Sequence, residues 1–138
     1  MTYWRTYYHL VWSTHDRLPL IHPEYEPILY QYLTQKSQSL SAPCYAIGGM
    51  PDHIHLIVSI PPKHSIAQFV KALKGASTRY LNQLIATENF GWQREYGVFT
   101  LGSKQLEIAI NYVNHQKHHH THHTTFKSLE PQPQSDRK

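Results

Sequence analysis

Cysteine is nearly missing from this chain of 138 residues: Cys44 stands alone. One thiol excludes an internal disulfide and the cysteine sets of structural zinc sites, and it fits a reducing, cytoplasmic compartment. Long apolar runs are missing too. None approaches the roughly 20 residues that span a bilayer, and Met1-Thr2-Tyr3-Trp4-Arg5 lacks the apolar core of a signal peptide. The length suffices for one domain with a proper core and not for two ordinary ones. There is no internal repeat and no separate linker. The last absence concerns charge: no acid occurs between Asp52 and Glu88. That stretch carries Lys63, Lys71, Lys74 and Arg79. A solvated helix face normally mixes signs, so an acid-free one is a candidate surface for phosphates.

The formal charge of +4 suits a polyanionic partner without proving one. Ten Tyr and three Trp stand beside these cations. Rings near cations are the materials of single-strand nucleic-acid binding, although most rings in a small domain are core.

Tyr7 to Ser13 is aromatic and β-branched and reads as a first strand, ending in the polar turn Thr14-His15-Asp16-Arg17. Arg17 is either a phosphate contact or a solvated loop cation. Pro23 and Glu24 open a helix to about Ser39 whose apolar stripe is Tyr25, Ile28, Leu29, Tyr32 and Leu33. Cys44 to Ile47 is a second strand, and Gly48-Gly49-Met50-Pro51-Asp52 turns it back as a hairpin. Ile66 to about Thr87 is the longest helix, with Ile66, Phe69, Val70, Leu73, Tyr80, Leu81 and Leu84 inward, Lys71, Lys74 and Thr78 outward and Arg79 at the flank. Asn89 to Gly97 is a connection and Val98 to Leu101 a short strand. Ser103 caps a last helix with the stripe Leu106, Ala109, Ile110 and Val113; Tyr112 and Gln116, four apart, share its half-exposed edge. Residues 120–138 read as a disordered His- and Pro-rich tail behind a domain of residues 1–119. Six histidines between His115 and His123 could bind nickel or zinc without functional meaning. The order β-α-β-β-α-β-α is an α+β domain with helices packed on an antiparallel sheet.

The hairpin's return strand carries the chemistry. His53-Ile54-His55-Leu56-Ile57-Val58 follows Pro51-Asp52. Side chains two apart share a face, so His53 and His55 point one way and Ile54, Leu56 and Val58 point into a core. Two imidazoles side by side on a rigid strand suit a divalent metal, and Asp52 could accept a ring N–H. The pair alone is a weak signal, since any short strand can carry two histidines. Tyrosine can act as a covalent nucleophile. Against a phosphodiester it would displace the 3′-hydroxyl and keep the 5′-phosphate, so strands could be cut and rejoined without ATP. Gln116 could add an oxygen ligand from the helix that bears Tyr112. Tyr96, in a loop, is the strongest competing tyrosine.

Five blocks are similar to those of one family: Tyr8-His9-Leu10-Val11-Trp12, Gly49 to Val58, Leu73-Lys74-Gly75-Ala76-Ser77, Trp92 to Phe99, and Tyr112-Val113-Asn114-His115-Gln116. Over roughly residues 5–119 the chain resembles the HUH-type single-strand transposases of the smallest bacterial insertion sequences, including the REP-associated tyrosine transposases. The resemblance implies a ferredoxin- or RRM-like domain, DNA-associated in a bacterial cytoplasm. It implies Mg²⁺ or Mn²⁺ on His53, His55 and Gln116, and Tyr112 as nucleophile. It also implies single-stranded DNA with imperfect palindromes or hairpins as substrate. A homodimer is implied as well; in well-known members a tyrosine acts in trans on the partner's metal site. The DNA-binding residues expected here are Arg17, Lys71, Lys74 and Arg79. His115 stands where relatives often have Asn and is expected to be tolerated. The chain is short after His119, where relatives often add a helical segment, so a copy that no longer moves stays open.

Rivals fare worse. Histidine-triad hydrolases need a third histidine where Ile57 stands, two-histidine phosphoesterases need Ser or Thr at His55, and metal amidohydrolases need a barrel far longer than this chain. The alternative from another class is a non-catalytic module that binds single-stranded DNA or RNA.

Overall fold

A computed structural model describes residues 3–87 and 89–117. The expected tail, residues 120–138, lies outside them, as do all histidines from His118 onward. The elements are β1 (Tyr7–Ser13), α1 (Glu26–Ser39), β2 (Cys44–Met50), β3 (His53–Ser59), α2 (Ile66–Leu84), β4 (Gly97–Leu101) and α3 (Ser103–Asn114), with a 3-10 turn at His15–Arg17. The four strands form one sheet in the order β2-β3-β1-β4, every neighbour antiparallel. This is the ferredoxin-like β-α-β-β-α-β arrangement with a third helix added.

The sheet is packed on both faces. One side of β1 and β3 presents Leu10, Trp12, Ile54, Leu56 and Val58 to Leu29, Leu33, Phe69, Val70, Leu73 and Leu81 of α1 and α2. Helix α3 covers the other side, where Ala46 and Ile57 meet Ala109, Tyr112 and Val113. Alternation along β3 therefore separates a large apolar core from the histidine face, and every residue of this inner strand is buried.

Several expectations shift. Helix α1 begins at Glu26, with Pro27 in its first turn, where a missing N–H costs nothing. Ile28 is exposed, as are Tyr80 and Leu84. Tyr80 stacks on Tyr32 at 4.2 Å and 9°, so these two rings roof the α1/α2 seam instead of filling it. Helix α2 ends at Leu84; its N-cap Ser65 accepts the Gln68 N–H at 3.1 Å. Gly102, not Ser103, is the N-cap of α3, and its N–H donates to Gln105 Oε1 at 2.9 Å.

The largest difference is in the hairpin. Gly48 and Gly49 belong to β2, leaving Pro51 and Asp52 as the turn. The glycines are there for close approach: a Cβ on Gly48 would lie 2.2 Å from the Val113 carbonyl oxygen, and one on Gly49 2.2 Å from that of His53. Gly48 lets the backbone of α3 settle directly on the sheet.

Candidate active site

The register of the inner strands builds the site. Opposed residues share a face, and β1 pairs Ser13 with His53, Val11 with His55 and His9 with Ile57. Across the other edge of β3, Gly48 opposes His55 and Met50 opposes His53. Small residues, Gly48 and Ser13, therefore flank the imidazoles and leave room for α3.

That room is filled by Tyr112. Its ring lies edge-on to His55 with centroids 6.2 Å apart. Solvent exposure is 4% for His53, 0% for His55, and 2% each for Tyr112 and Gln116. The expected half-exposed edge for Tyr112 and Gln116 is thus corrected: both are buried. The reason is the rotation of α3. Its seam runs through Ala109, Tyr112 and Val113, while Leu106 and Ile110 are only half-buried and Ile108 is exposed. Gln116 lines a cavity of about 280 Å³ together with Ile47, Gly48, Gly49 and Tyr30, on the part of β2 that adjoins the histidines. His115 is exposed, and its Nδ1–H donates to the Asn111 carbonyl at 2.8 Å near the helix end.

Each histidine is held through Nδ1. His53 Nδ1–H donates to Asp52 Oδ1 at 2.8 Å. This hydrogen bond is the main cause that holds the Asp52 carboxyl below its usual 3.8, with Arg17 contributing charge at 3.5 Å. Arg17 sits in a turn where it and Asp16 both adopt φ 54°, a region costly to residues other than glycine. His55 Nδ1 is hydrogen-bonded at 2.8 Å to Nε2 of His9, a residue that sequence reasoning passed over. In both rings the Nε2 edge, opposite the engaged Nδ1 and buried, is the one that could meet a cation. Among the described residues no three His, Cys, Asp or Glu side chains form a metal-holding group. His53 and His55 could offer two imidazole nitrogens to a divalent ion, with Asp52 bonded behind His53.

Of the expected DNA-binding residues, Arg17 lies beside Asp52 at this site, while Lys71, Lys74 and Arg79 occupy the other side of the sheet. A groove of about 730 Å³ is lined by Lys71, Lys74, Gly75, Arg79, Trp92, Arg94 and Tyr96, among others. Lys71, Gly75 and Arg79 also line a neighbouring groove that Lys36 enters. Lys74 differs from the outward cation expected. Its ammonium donates to the carbonyls of Gln93, Arg94 and Glu95 at 2.7, 3.1 and 2.9 Å, beneath the rings of Trp12 and Tyr96. Burial lowers its pKa to about 8. The connection after α2 is equally tied. Asn82 exchanges two hydrogen bonds with the Phe90 backbone, and Trp92 Nε1–H donates to Ser77 Oγ at 2.9 Å. This wall reaches the site, because the Gln93 N–H donates to the Ser13 carbonyl at 2.8 Å and Ser13 opposes His53.

The family model described as "Transposase IS200 like" matches residues 2–116. The ISDra2 transposase TnpA of Deinococcus radiodurans is 38% identical over 72 residues, 52% of this chain and 51% of that protein; the chain therefore matches about half the length of this relative. A transposase for insertion sequence element IS200 from Salmonella typhimurium is 30% identical over 83% of this chain and 79% of its own. Among solved structures, a candidate transposase from Deinococcus radiodurans superposes with a TM-score of 0.66 at 26% identity, covering 90% of this chain and 95% of that one. A REP-associated tyrosine transposase bound to a REP hairpin shares the fold, with a TM-score of 0.61 at 14% identity, over 91% of this chain and 76% of its own. Matched over nearly all its described length, this chain belongs to the IS200-like transposase family.

Proposed function

We propose that this chain is a transposase that cuts and rejoins single-stranded DNA through a 5′-phosphotyrosine on Tyr112. The observation that carries the reading is the burial of Tyr112 against His55. Beside its apolar neighbours Ala46, Ile57, Ala109 and Val113, this tyrosine also meets the buried His55 ring, which packing alone does not call for. His53, His55 and Gln116 would hold a divalent ion, Mg²⁺ or Mn²⁺, which when bound polarises a phosphoryl oxygen. Two imidazole donors favour Mn²⁺ over Mg²⁺. The phenol attacks phosphorus, the 3′-hydroxyl leaves with a proton, and the covalent link conserves the bond for rejoining.

Substrate recognition falls to the opposite face. Lys71, Arg79 and Arg94 line the groove with Trp92 and Tyr96, a combination suited to phosphates and bases of a DNA hairpin and its single-stranded flank. From there the wall at Gln93 leads round the sheet end to His53, whose partner Asp52 is paired with Arg17. Lys74 acts indirectly, by holding that wall.

The Tyr112 ring packs against His55 of its own chain, which favours chemistry in cis over a tyrosine delivered by the second subunit of a homodimer. Single-stranded DNA with a hairpin should give an SDS-resistant adduct in Mn²⁺, and none in excess EDTA or with His53→Ala. Mixing Tyr112→Phe chains with His53→Ala chains should not restore it; restoration would mean a tyrosine delivered in trans by a dimer. Tight DNA binding without an adduct in any divalent metal would favour a binding module or an inactive remnant instead.

A further inference from the structure

His9 is buried in the same polar cluster, and the chemistry above gives it no part. It lies on β1 with its ring beside that of His55 and nearly parallel to it, centroids 5.0 Å apart at 20°, and the Phe99 ring lies 5.7 Å away. Its Nε2 is 2.8 Å from His55 Nδ1. A histidine that binds a cation through Nε2 needs that nitrogen unprotonated. Its proton then sits on Nδ1 and needs an acceptor, which is commonly a carboxylate, a carbonyl or water. His53 has such an acceptor in Asp52. His55 has another imidazole.

We propose that His9 is a positioning residue: it accepts the Nδ1–H of His55 and so fixes the tautomer and ring plane in which His55 offers Nε2 to a divalent cation. The inference rests on His53 and His55 being ligands. It requires His9 itself to carry its proton on Nδ1, leaving Nε2 as the acceptor. A neutral acceptor suits the place. His9 is fully buried between inner strands and packed against Phe99, where an unpaired carboxylate would be costly to desolvate. Asp52, a third exposed and paired with Arg17, can remain charged. The two candidate ligands are therefore backed unequally, His53 by an anion and His55 by a neutral ring.

The test uses the full chain with His118, His119, His120, His122 and His123 changed to Gln, so that they do not compete for metal. Mn²⁺ affinity is measured by electron paramagnetic resonance, ring tautomers by ¹⁵N spectra of the metal-free protein, and folding by thermal melting. His55→Ala should abolish tight binding. His9→Phe, which keeps a ring but has no acceptor, should fold and bind Mn²⁺ about 10–100-fold more weakly. His9→Gln, whose amide oxygen can accept, should bind nearly as well as the unsubstituted chain. The spectrum should show His55 as the Nδ1–H tautomer, and His9→Phe should mix the two forms. A normal loss in His55→Ala with none in His9→Phe overturns the proposal alone, as does a His9→Gln as weak as His9→Phe. Unchanged affinity in His55→Ala overturns the ligand reading and this proposal with it. Should His9→Phe fail to fold, the tautomer of the unsubstituted chain decides: a proton on Nε2 of His55 contradicts the proposal.

Discussion

The two faces of the sheet are built from opposite materials. Toward α1 and α2 the strands offer Leu10, Trp12, Ile54, Leu56 and Val58, an apolar layer with many large partners. Toward α3 they offer His9, Val11, His53 and His55, while Ala46 and Ile57 join Ala109, Tyr112 and Val113 in a smaller apolar patch. The same two inner strands serve both layers, so the large core fixes the position of every imidazole opposite it. A face that holds the fold frees its reverse for polar side chains that a lone layer could not bury cheaply.

The comparison is broken most forcefully from the apolar side. Leu56→Ala, fully buried in the large core, should cost about 2–5 kcal/mol in denaturant unfolding. Tyr112→Phe on the other face removes one oxygen and should cost about 1 kcal/mol. Equal costs would mean that α3 belongs to the core as firmly as α1 and α2. Next comes Gly48→Ala. The added Cβ must push the α3 backbone away, at about 1–3 kcal/mol, and adduct formation should fall while the large core stays intact.

Smaller effects sharpen the contrast among cations. Lys71→Gln with Arg79→Gln should reduce the salt slope of single-strand binding by about 0.7 per lost phosphate contact. Adding Lys74→Gln should leave that slope alone and lower stability, because its ammonium is already engaged by three carbonyls. A further drop in slope with unchanged stability would return Lys74 to the phosphate surface. Its titration gives the smallest signal. Burial lowers the folded pKa to about 8 from 10.5, so between these values the unfolded chain holds more of this proton. Stability from this group should therefore rise as pH climbs from 8 toward 10.5 and be flat below 8. The difference between the wild-type and Lys74→Met unfolding profiles isolates it from nearby Tyr96 and Glu95.

Much of this was legible in the sequence. Alternation after Pro51-Asp52 placed His53 and His55 on one face and Leu56 on the other; the helical spacing expected to join Tyr112 to Gln116 does not hold, because α3 ends at Asn114 and Gln116 lies past its cap. What escaped depends on residues distant in the chain. His9 reads as another ring in an aromatic strand until the register brings it diagonal to His55. Gly48 looks like part of a turn because glycine's local meaning is freedom; here the reason is a helix arriving from more than sixty residues away, as Val113 on Gly48 shows. Lys74 sits on the polar side of its own helix, and only the fold places the carbonyls of residues 93–95 around it. The close approach of α3 to the sheet at Gly48 likewise cannot be read from the helix's own apolar pattern.

The central claim is that the histidine face is a catalytic site whose nucleophile is Tyr112. It is tested most directly by mapping the peptide that carries DNA after the unsubstituted protein is incubated with hairpin-bearing single-stranded DNA and Mn²⁺. The account predicts a 5′-phosphate on the peptide holding Tyr112, absent in Tyr112→Phe and retained in Tyr96→Phe. A 5′-phosphate on the peptide holding Tyr96, or on any other, would contradict it.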